Sequence, residues 1–323
     1  MIDEKSKERS EQIIVTICCT AFNQEAYIRK CLDGIVMQIT NFKYEAIVHD
    51  DASTDETAAI IQEYAAKYPD IIKAILETEN QYSKHNGSLR KIMRANTKGK
   101  YVATCEADDY WTDPYKLQKQ VDIMESDSNI SMVYTAYKTV DSEGQLLLRP
   151  VYETYKRISF SGDILSQLIC SGNFVMTLTT CIRKDVYESN LLKRSNIGID
   201  YLLFLTAASM GSCVYLPEET GCYRYSPKSE MNANLDYVKY SYIKAKKYFV
   251  KTILQDGIKQ YSVTKKIKLY VAFLENAILF YVKSIDKEYL SIVLSKRKTL
   301  LFLPIAIISL CVRKLMLIVG VNH

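Results

Sequence analysis

Three groups of carboxylates carry the chemistry open to this chain. The first is His49-Asp50-Asp51-Ala52-Ser53-Thr54-Asp55, the second is Glu106-Ala107-Asp108-Asp109-Tyr110-Trp111, and the third is Asp200 alone, directly ahead of the apolar stretch YLLFLTAASM. Grouped carboxylates have three uses. They hold a hard divalent cation, usually as one or two oxygen ligands completed by a substrate's phosphates, they act as acid and base, or they cap helices. Capping accounts for Ser53, with Glu56 three residues on, and for Asp113 ahead of Pro114 and KLQKQVDIM. It leaves four acidic positions in two separate segments unexplained. Asp200 by itself reads as a helix N-cap.

Other chemistries are poorly served. Among the 323 residues there are eleven Gly, no two of them two positions apart, which removes the dinucleotide fingerprint G-x-G-x-x-G. The P-loop, the G-x-S-x-G nucleophile elbow and H-E-x-x-H are also absent, and His49, His85 and His323 are the only imidazoles. Zinc hydrolase and Ser-His-Asp mechanisms lose their residues. His49, on an apolar segment, reads as a structural histidine. His85 lies on a polar loop with Lys84, Arg90 and Lys91, cations suited to a diphosphate. Nine scattered Cys without a C-x-x-C pair read as small buried hydrophobes of a reducing compartment. The polar, mixed-charge start MIDEKSKERSEQ argues against a secretory leader, and the expected location is cytoplasmic.

The elements that must position the carboxylates follow from hydrophobic period. IIVTICC (13 to 19), YEAIVH (44 to 49), IIKAIL (71 to 76) and YVATC (101 to 105) are short β-rich runs that predict strands, the first buried on both faces. Between them, Ile28, Cys31, Leu32, Ile35 and Val36 fall on one helical face, with Asn23 as its cap. Ile60, Ile61, Tyr64, Ala65 and Tyr68 fall on another, opened by a Ser53/Glu56 capping box. A third helix spans Ser88 to Asn96. This alternation predicts an α/β fold with a mainly parallel sheet flanked by helices. Such sheets bind ligands beyond the carboxyl ends of their strands, where both acidic clusters fall.

VTICCTAFNQEAYI, EAIVHDDASTDET and GKYVATCEADDYWTDPYKLQKQ, in this order and spacing, resemble the family-2 glycosyltransferases. The similarity is dense from Ile13 to Tyr137 and thinner to Tyr225. It implies a GT-A nucleotide-diphospho-sugar transferase fold and an inverting transfer from a nucleotide sugar, with UDP the default carrier and GDP or dTDP the alternatives. It also implies that Thr20, Ala21, Phe22 and Asn23 lie against the nucleotide with Glu25 beside them, and that Asp51 pairs with the base. Glu106, Ala107 and Asp108 stand at the family's D-x-D motif. Asp108 becomes the ligand of Mn²⁺ or Mg²⁺, with Asp109 following. Glu106 lengthens the usual leading Asp, and Ala107 replaces a frequent Gly. By the same resemblance Asp200 is the catalytic base, and Tyr223 and Arg224 touch phosphate or acceptor or form a structural pair. Trp111 either packs on a sugar ring or plugs the sheet edge. Asn173, Thr179 and Thr180 are polar contacts for an acceptor. Bacterial capsule, O-antigen or lipopolysaccharide assembly is the setting the resemblance suggests.

Charge divides the chain. Residues 236 to 323 hold 16 Lys and Arg against 5 Asp and Glu, whereas the remainder holds 26 against 32. The expected organisation is a polar segment at 1–12, a catalytic domain at 13–235 with a donor half (13–140) and an acceptor half (141–235), and a basic helical appendage at 236–323. Thr299 to Val312 is a charge-free run of 14 residues, short of the roughly 20 a membrane span needs. Bracketed by Lys296, Arg297, Lys298, Arg313 and Lys314, it predicts an in-plane helix on an anionic inner membrane face through residues 296–323. The competing uses of this helix are packing on the body or in a homo-oligomer. A saccharide or lipid-linked saccharide acceptor fits such a tail, while nucleic acid is not expected beside an acidic body. Two other functions suit the same features. One is a sugar-phosphate nucleotidyltransferase, which releases pyrophosphate, and the other is a non-catalytic membrane-associated scaffold that keeps a nucleotide-sugar pocket.

Overall fold

The computed structural model of the protein describes residues 12–148, 160–195, 197, 200–226, 235–256, 263–282, 293–294 and 302–307. Contacts group the chain into two compact units, Met1–Gly162 with Val175–Leu235, and Asp163–Phe174 with Asp236–His323.

The first unit is built on strands β1 (Ile13–Ala21), β2 (Lys43–Asp50), β3 (Ile72–Leu76), β4 (Tyr101–Thr104), β5 (Tyr110–Trp111), β6 (Ile130–Val140), β7 (Cys181–Arg183) and β8 (Ser212–Arg224). They form one mixed sheet in the order β3-β2-β1-β4-β7-β6-β8-β5. The pairs β3/β2, β2/β1, β1/β4 and β6/β8 are parallel, and β7 and β5 join antiparallel to their neighbours. Helices α1 (Ile28–Val36), α2 (Thr57–Lys67), α3 (Ser88–Asn96), α4 (Lys116–Ser126), α6 (Lys184–Tyr187), α7 (Asn190–Lys193) and α8 (Asp200–Met210) connect them.

The apolar run of β1 places Val15, Ile17 and Cys19 in one core with Ile28, Leu32 and Ile35 of α1 and Ile60 and Ile61 of α2. Cys18 faces a smaller cluster with Ile47, Met93 and Val102. At roughly 25 cal/mol per Å² of apolar area removed from water, this two-sided burial fixes the register of the central strands. Gly34 lets α1 approach β5 closely. A Cβ there would lie 2.8 Å from the Trp111 carbonyl oxygen and 2.9 Å from its amide nitrogen.

The registers bring three strand ends level. Ala21 lies opposite Asp50 and Cys18 opposite Thr104. The chain leaving β4 therefore runs alongside the end of β1, where Cys105 N–H donates to Cys18 O at 3.1 Å and Ala107 N–H to Thr20 O at 3.2 Å. Sequence order moves outward from β1 to β3 and then jumps to β4, so the acidic loops sit at a topological switch point.

Two expected caps do not form. Asn23 lies five residues before the start of α1 in the left-handed region (φ 53°) and pairs with the loop after β2. Ser53 and Glu56 make no capping box, because the Ser53 hydroxyl accepts the Asn23 N–H and the Glu56 N–H goes to Glu25.

In the second unit, α5 (Leu165–Ser171) packs on α10 (Val263–Val282), and α9 (Leu235–Asp256) supplies further buried residues, among them Ala245, Phe249 and Val250. Lys265 pairs with Asp163 at 3.5 Å, and the Cys170 thiol donates to Glu275 at 3.4 Å. Among the described residues no helix is long and apolar enough to cross a membrane. The expected membrane segment, 296–323, lies outside the described residues except for a helical turn at 302–307, where Phe302 stacks on Tyr270 at 5.5 Å.

Candidate active site

The loops after β1 and β2 are fastened to each other by side chains. Asn23 N–H donates to the Ser53 hydroxyl at 2.9 Å, Gln24 N–H to Thr57 at 2.7 Å and Glu25 N–H to Asp55 at 3.1 Å. In return Thr54 N–H donates to Asn23 Oδ1 at 2.9 Å and Glu56 N–H to Glu25 at 3.0 Å. Asn23 and Glu25 are thus committed to the protein itself. Phe22 is exposed, Thr20 is half-buried, and Ala21 and Ala107 are buried, so those two offer backbone rather than side chain.

Asp51 is buried, and both of its carboxylate oxygens accept backbone N–H groups, from Gln81 at 2.6 Å and Tyr82 at 3.0 Å. It anchors the loop between β3 and α3, whose exposed Tyr82 meets His85 edge to face at 6.0 Å. Lys84 is paired with Glu79 at 3.0 Å. His49 is buried with Nε2 3.4 Å from Glu77, as a structural histidine would be.

Four carboxylates from two distant segments lie close enough to act on one another by charge, with Glu106 the link between Asp200 and the Asp108-Asp109 pair. Glu106 and Asp108 are half-buried and Asp109 is buried. Burial, followed by the charges of Asp200 and Asp108, holds the Glu106 carboxyl well above the usual range. Asp109 is raised well above it by burial, Asp108 and Glu106, while the Arg224 N–H and charge pull the other way. Burial raises Asp108, against its own backbone N–H and Arg224. Asp200 reaches solvent, yet the protein mass around it raises its carboxyl; a hydrogen bond from Thr177 at 2.8 Å and the charge of Arg90 oppose that shift.

Arg224 braces the acidic loop. Its backbone N–H donates to Asp109 Oδ1 at 2.7 Å, its Nε to Asp108 O at 3.0 Å, and its Nη1 to Asp141 O at 2.8 Å and Ser142 O at 2.9 Å. The guanidinium lies 4.3 Å from the Tyr27 ring. With these donors spent on carbonyls, Arg224 is a structural clamp, and the sequence offered that role beside phosphate contact. Trp111 also resolves toward structure. It is 2% exposed and its indole N–H donates to Leu178 O at 2.8 Å, so its ring is closed to a sugar. Lys116 lies beneath it, 4.2 Å from the ring and bonded to Gln120 at 2.7 Å, with its pKa lowered to about 8 by burial.

On the Asp200 side the sequence named Asn173, Thr179 and Thr180. The hydroxyls of Thr179 and Thr180 turn back to Met176 O and Thr177 O, and both residues are buried. Asn173 falls in the second unit. Thr177 is the residue on Asp200, and nothing in the run TLTT separates it from its neighbours.

Among the described residues no group of three or more His, Cys, Asp and Glu side chains is arranged to enclose an ion. The residues fit a cation of another kind. Asp108 is half-buried, its carboxylate bonded among the described residues only to its own backbone N–H, beside acidic groups that oppose one another's ionisation. Mg²⁺ and Mn²⁺ are held this way, by one or two carboxylates with a substrate's phosphates completing the shell.

The chain belongs to glycosyl transferase family 2, whose model matches residues 16–186, and the sheet, switch point and acidic loop are those of the family's GT-A fold. Family members are nucleotide-sugar-dependent glycosyltransferases. An uncharacterized protein of Mycobacterium tuberculosis is 33% identical over 210 residues, which cover 65% of this chain and 58% of that relative. Two solved structures share the fold. Staphylococcus aureus TarS 1–349 in complex with UDP aligns with a TM-score of 0.52 at 14% identity, covering 88% of this chain and 92% of TarS. The mannosyltransferase PcManGT from Pyrobaculum calidifontis, in complex with GDP-Man and Mn²⁺, aligns at 0.55 and 17%, covering 96% and 82%.

Proposed function

We propose that the chain transfers a sugar, with inversion, from a nucleoside diphosphate sugar to a hydroxyl of a saccharide or lipid-linked saccharide. The observation that carries this reading is that Asp200 and Asp108, far apart in sequence, both act by their charge on Glu106 at the switch point of the sheet. Asp200, held by Thr177, takes the proton of the acceptor hydroxyl. The acceptor oxygen bonds to the anomeric carbon as the bond to the diphosphate breaks on the opposite face, and the nucleoside diphosphate leaves. A carboxyl raised toward neutrality is the stronger base for this step. Asp108, with Asp109 behind it, would hold Mn²⁺ or Mg²⁺, which supplies positive charge to the leaving diphosphate. Thr20, Ala21, Phe22 and Ala107 border the nucleotide, and Asp51 shapes its wall through Gln81 and Tyr82. The UDP of the TarS complex and the GDP-Man and Mn²⁺ of the PcManGT complex support a nucleotide-sugar donor.

In this reading residues 13–235 form the catalytic domain and 236–323 a basic appendage that rests on the inner membrane face. The pathway is assembly of a bacterial surface polysaccharide. Calorimetric titration with UDP, GDP and dTDP, with and without Mn²⁺, tests the donor site. One nucleotide should bind in a metal-dependent way, and Asp108→Ala should abolish that binding; failure of all three in folded protein overturns the reading. Removal of residues 296–323 should abolish binding to anionic liposomes, and unchanged binding would remove the membrane role.

A further inference from the structure

His49 is enclosed in the sheet, yet its imidazole has no hydrogen bond. It stands on β2 opposite Thr20 of β1 and Ile75 of β3. Two residues earlier Ile47 faces the small cluster of Cys18, Met93 and Val102, so the ring lies on that same face of the sheet. It is 0% exposed, and among the described residues neither Nδ1 nor Nε2 has a hydrogen-bond partner. An imidazole carries at least one N–H, and enclosing one without an acceptor is costly. Nε2 lies 3.4 Å from Glu77 Oε1, within ion-pair reach and a little long for an N–H···O bond.

Glu77 connects this ring to the loop after β3. Its backbone N–H donates to Asp50 O at 3.0 Å, and its Oε2 accepts from Gln81 Nε2 at 3.1 Å. Gln81 engages each of its polar groups locally. Its N–H donates to Asp51 at 2.6 Å and its Nε2 also to Glu79 O at 3.0 Å, while its Oε1 accepts from Lys84 at 3.1 Å and its O from the Ser88 hydroxyl at 3.0 Å. Between β3 and α3 the chain has only the 3₁₀ turn Tyr82–Lys84 of its own, so these side-chain bonds set the course of the loop. One carboxylate therefore faces the buried imidazole with one oxygen and the centre of the loop with the other.

We propose that His49 is a positioning residue of the donor site. Through Glu77 and Gln81 it holds the wall formed by Gln81 and Tyr82 in place before the nucleotide arrives, and a wall already ordered binds more tightly than one ordered on contact. This rests on the reading of that loop as the border of the nucleotide.

The test uses the full chain and two readouts. Amide hydrogen exchange on the unliganded chain comes first. In His49→Leu the Gln81 and Tyr82 amides should exchange roughly three- to tenfold faster than in wild type, while those of Ile17 and Val48 keep their protection, as local opening requires. Calorimetry with Mn²⁺ and whichever of UDP, GDP and dTDP binds comes second. His49→Leu should weaken binding by a similar factor, and His49→Gln, which keeps an N–H for Glu77, should restore most of it. Glu77→Ala reaches the same link from its half-buried side. It should reproduce both effects, and adding His49→Leu to it should change neither readout further. Wild-type exchange at Gln81 and Tyr82 in both single variants overturns the proposal, and so does a loss of protection shared with Ile17 and Val48. Faster exchange with unchanged nucleotide affinity overturns it as well. Binding of no nucleotide by wild type overturns the donor reading instead, and the exchange rates then decide whether His49 holds the loop.

Discussion

Lys116 offers a stringent test of the packing beneath the acidic loop. Its ammonium lies between the Trp111 ring and Gln120, fully enclosed, and titrates at about 8 rather than at 10.5. Below pH 8 the lysine is charged in both states, and folding bears a penalty of about 3 kcal/mol for burying that charge. As pH rises from 8 toward 10.5 the folded lysine loses its proton first, the unfolded chain binds more protons, and this group makes the protein more stable. Lys116→Met keeps the stem and removes the titration. Its lost contacts to Gln120 and the ring add an offset that does not depend on pH. The free-energy difference between wild type and Lys116→Met should therefore move by about 2 kcal/mol in favour of wild type between about pH 7 and about pH 9.5. Alkaline ionisation of Tyr and Cys, which lowers the stability of both proteins, largely cancels. Urea melts followed by the fluorescence of Trp111, the single tryptophan, report on the first unit alone. A difference that stays constant across this range would refute the account of a charge enclosed at a desolvation cost.

Other consequences are simpler to state. Asp200→Asn should lower kcat roughly 10²- to 10⁴-fold while calorimetry finds UDP affinity unchanged; parallel loss of nucleotide binding would place Asp200 in the donor site instead. Gly34→Ala forces a Cβ into the Trp111 backbone, so chemical denaturation should record a loss of about 1–3 kcal/mol together with a shift in the tryptophan emission. Arg224→Met strands the Asp108, Asp141 and Ser142 carbonyls. It should cost roughly 3 kcal/mol or more and weaken Mn²⁺ binding with UDP; a stability loss with metal affinity intact would confine Arg224 to the fold.

The central strands and the placement of both acidic clusters were legible because each rests on a local pattern. Apolar runs such as IIVTICC have no solvent-facing alternation to confuse them, and a carboxylate at a strand end is a feature of consecutive residues. What was not legible depends on partners distant in sequence. Asn23 and Ser53 carry the chemistry of helix caps, and only the level ends of β1 and β2 turn them toward each other. Trp111 stayed open between packing on a sugar and plugging the sheet edge because the close approach that buries it depends on Gly34, on a helix well upstream. The antiparallel insertions β5 and β7, of two and three residues, are too short to show any period.

The brace at Arg224 links these long-range effects to the site. An acidic loop with several neighbouring carboxylates is driven apart by its own charge, and between Cys105 and Asp109 its backbone reaches β1 only through the Cys105 and Ala107 N–H groups among the described residues. The last residue of β8 supplies what the loop lacks. Its N–H fixes the Asp109 carboxylate, its side chain fixes the Asp108 carbonyl, and the antiparallel pairing of β5 with β8 carries both to the correct depth. Asp109 is consequently a second anchor of the loop, since one of its oxygens is already engaged. Asp108, whose carbonyl is held by Arg224 and whose half-buried carboxylate meets its own backbone N–H, is the residue that in the proposed reading would hold the cation. The geometry separates support from chemistry between adjacent residues of the same type, a division that the DD pair in the sequence does not reveal.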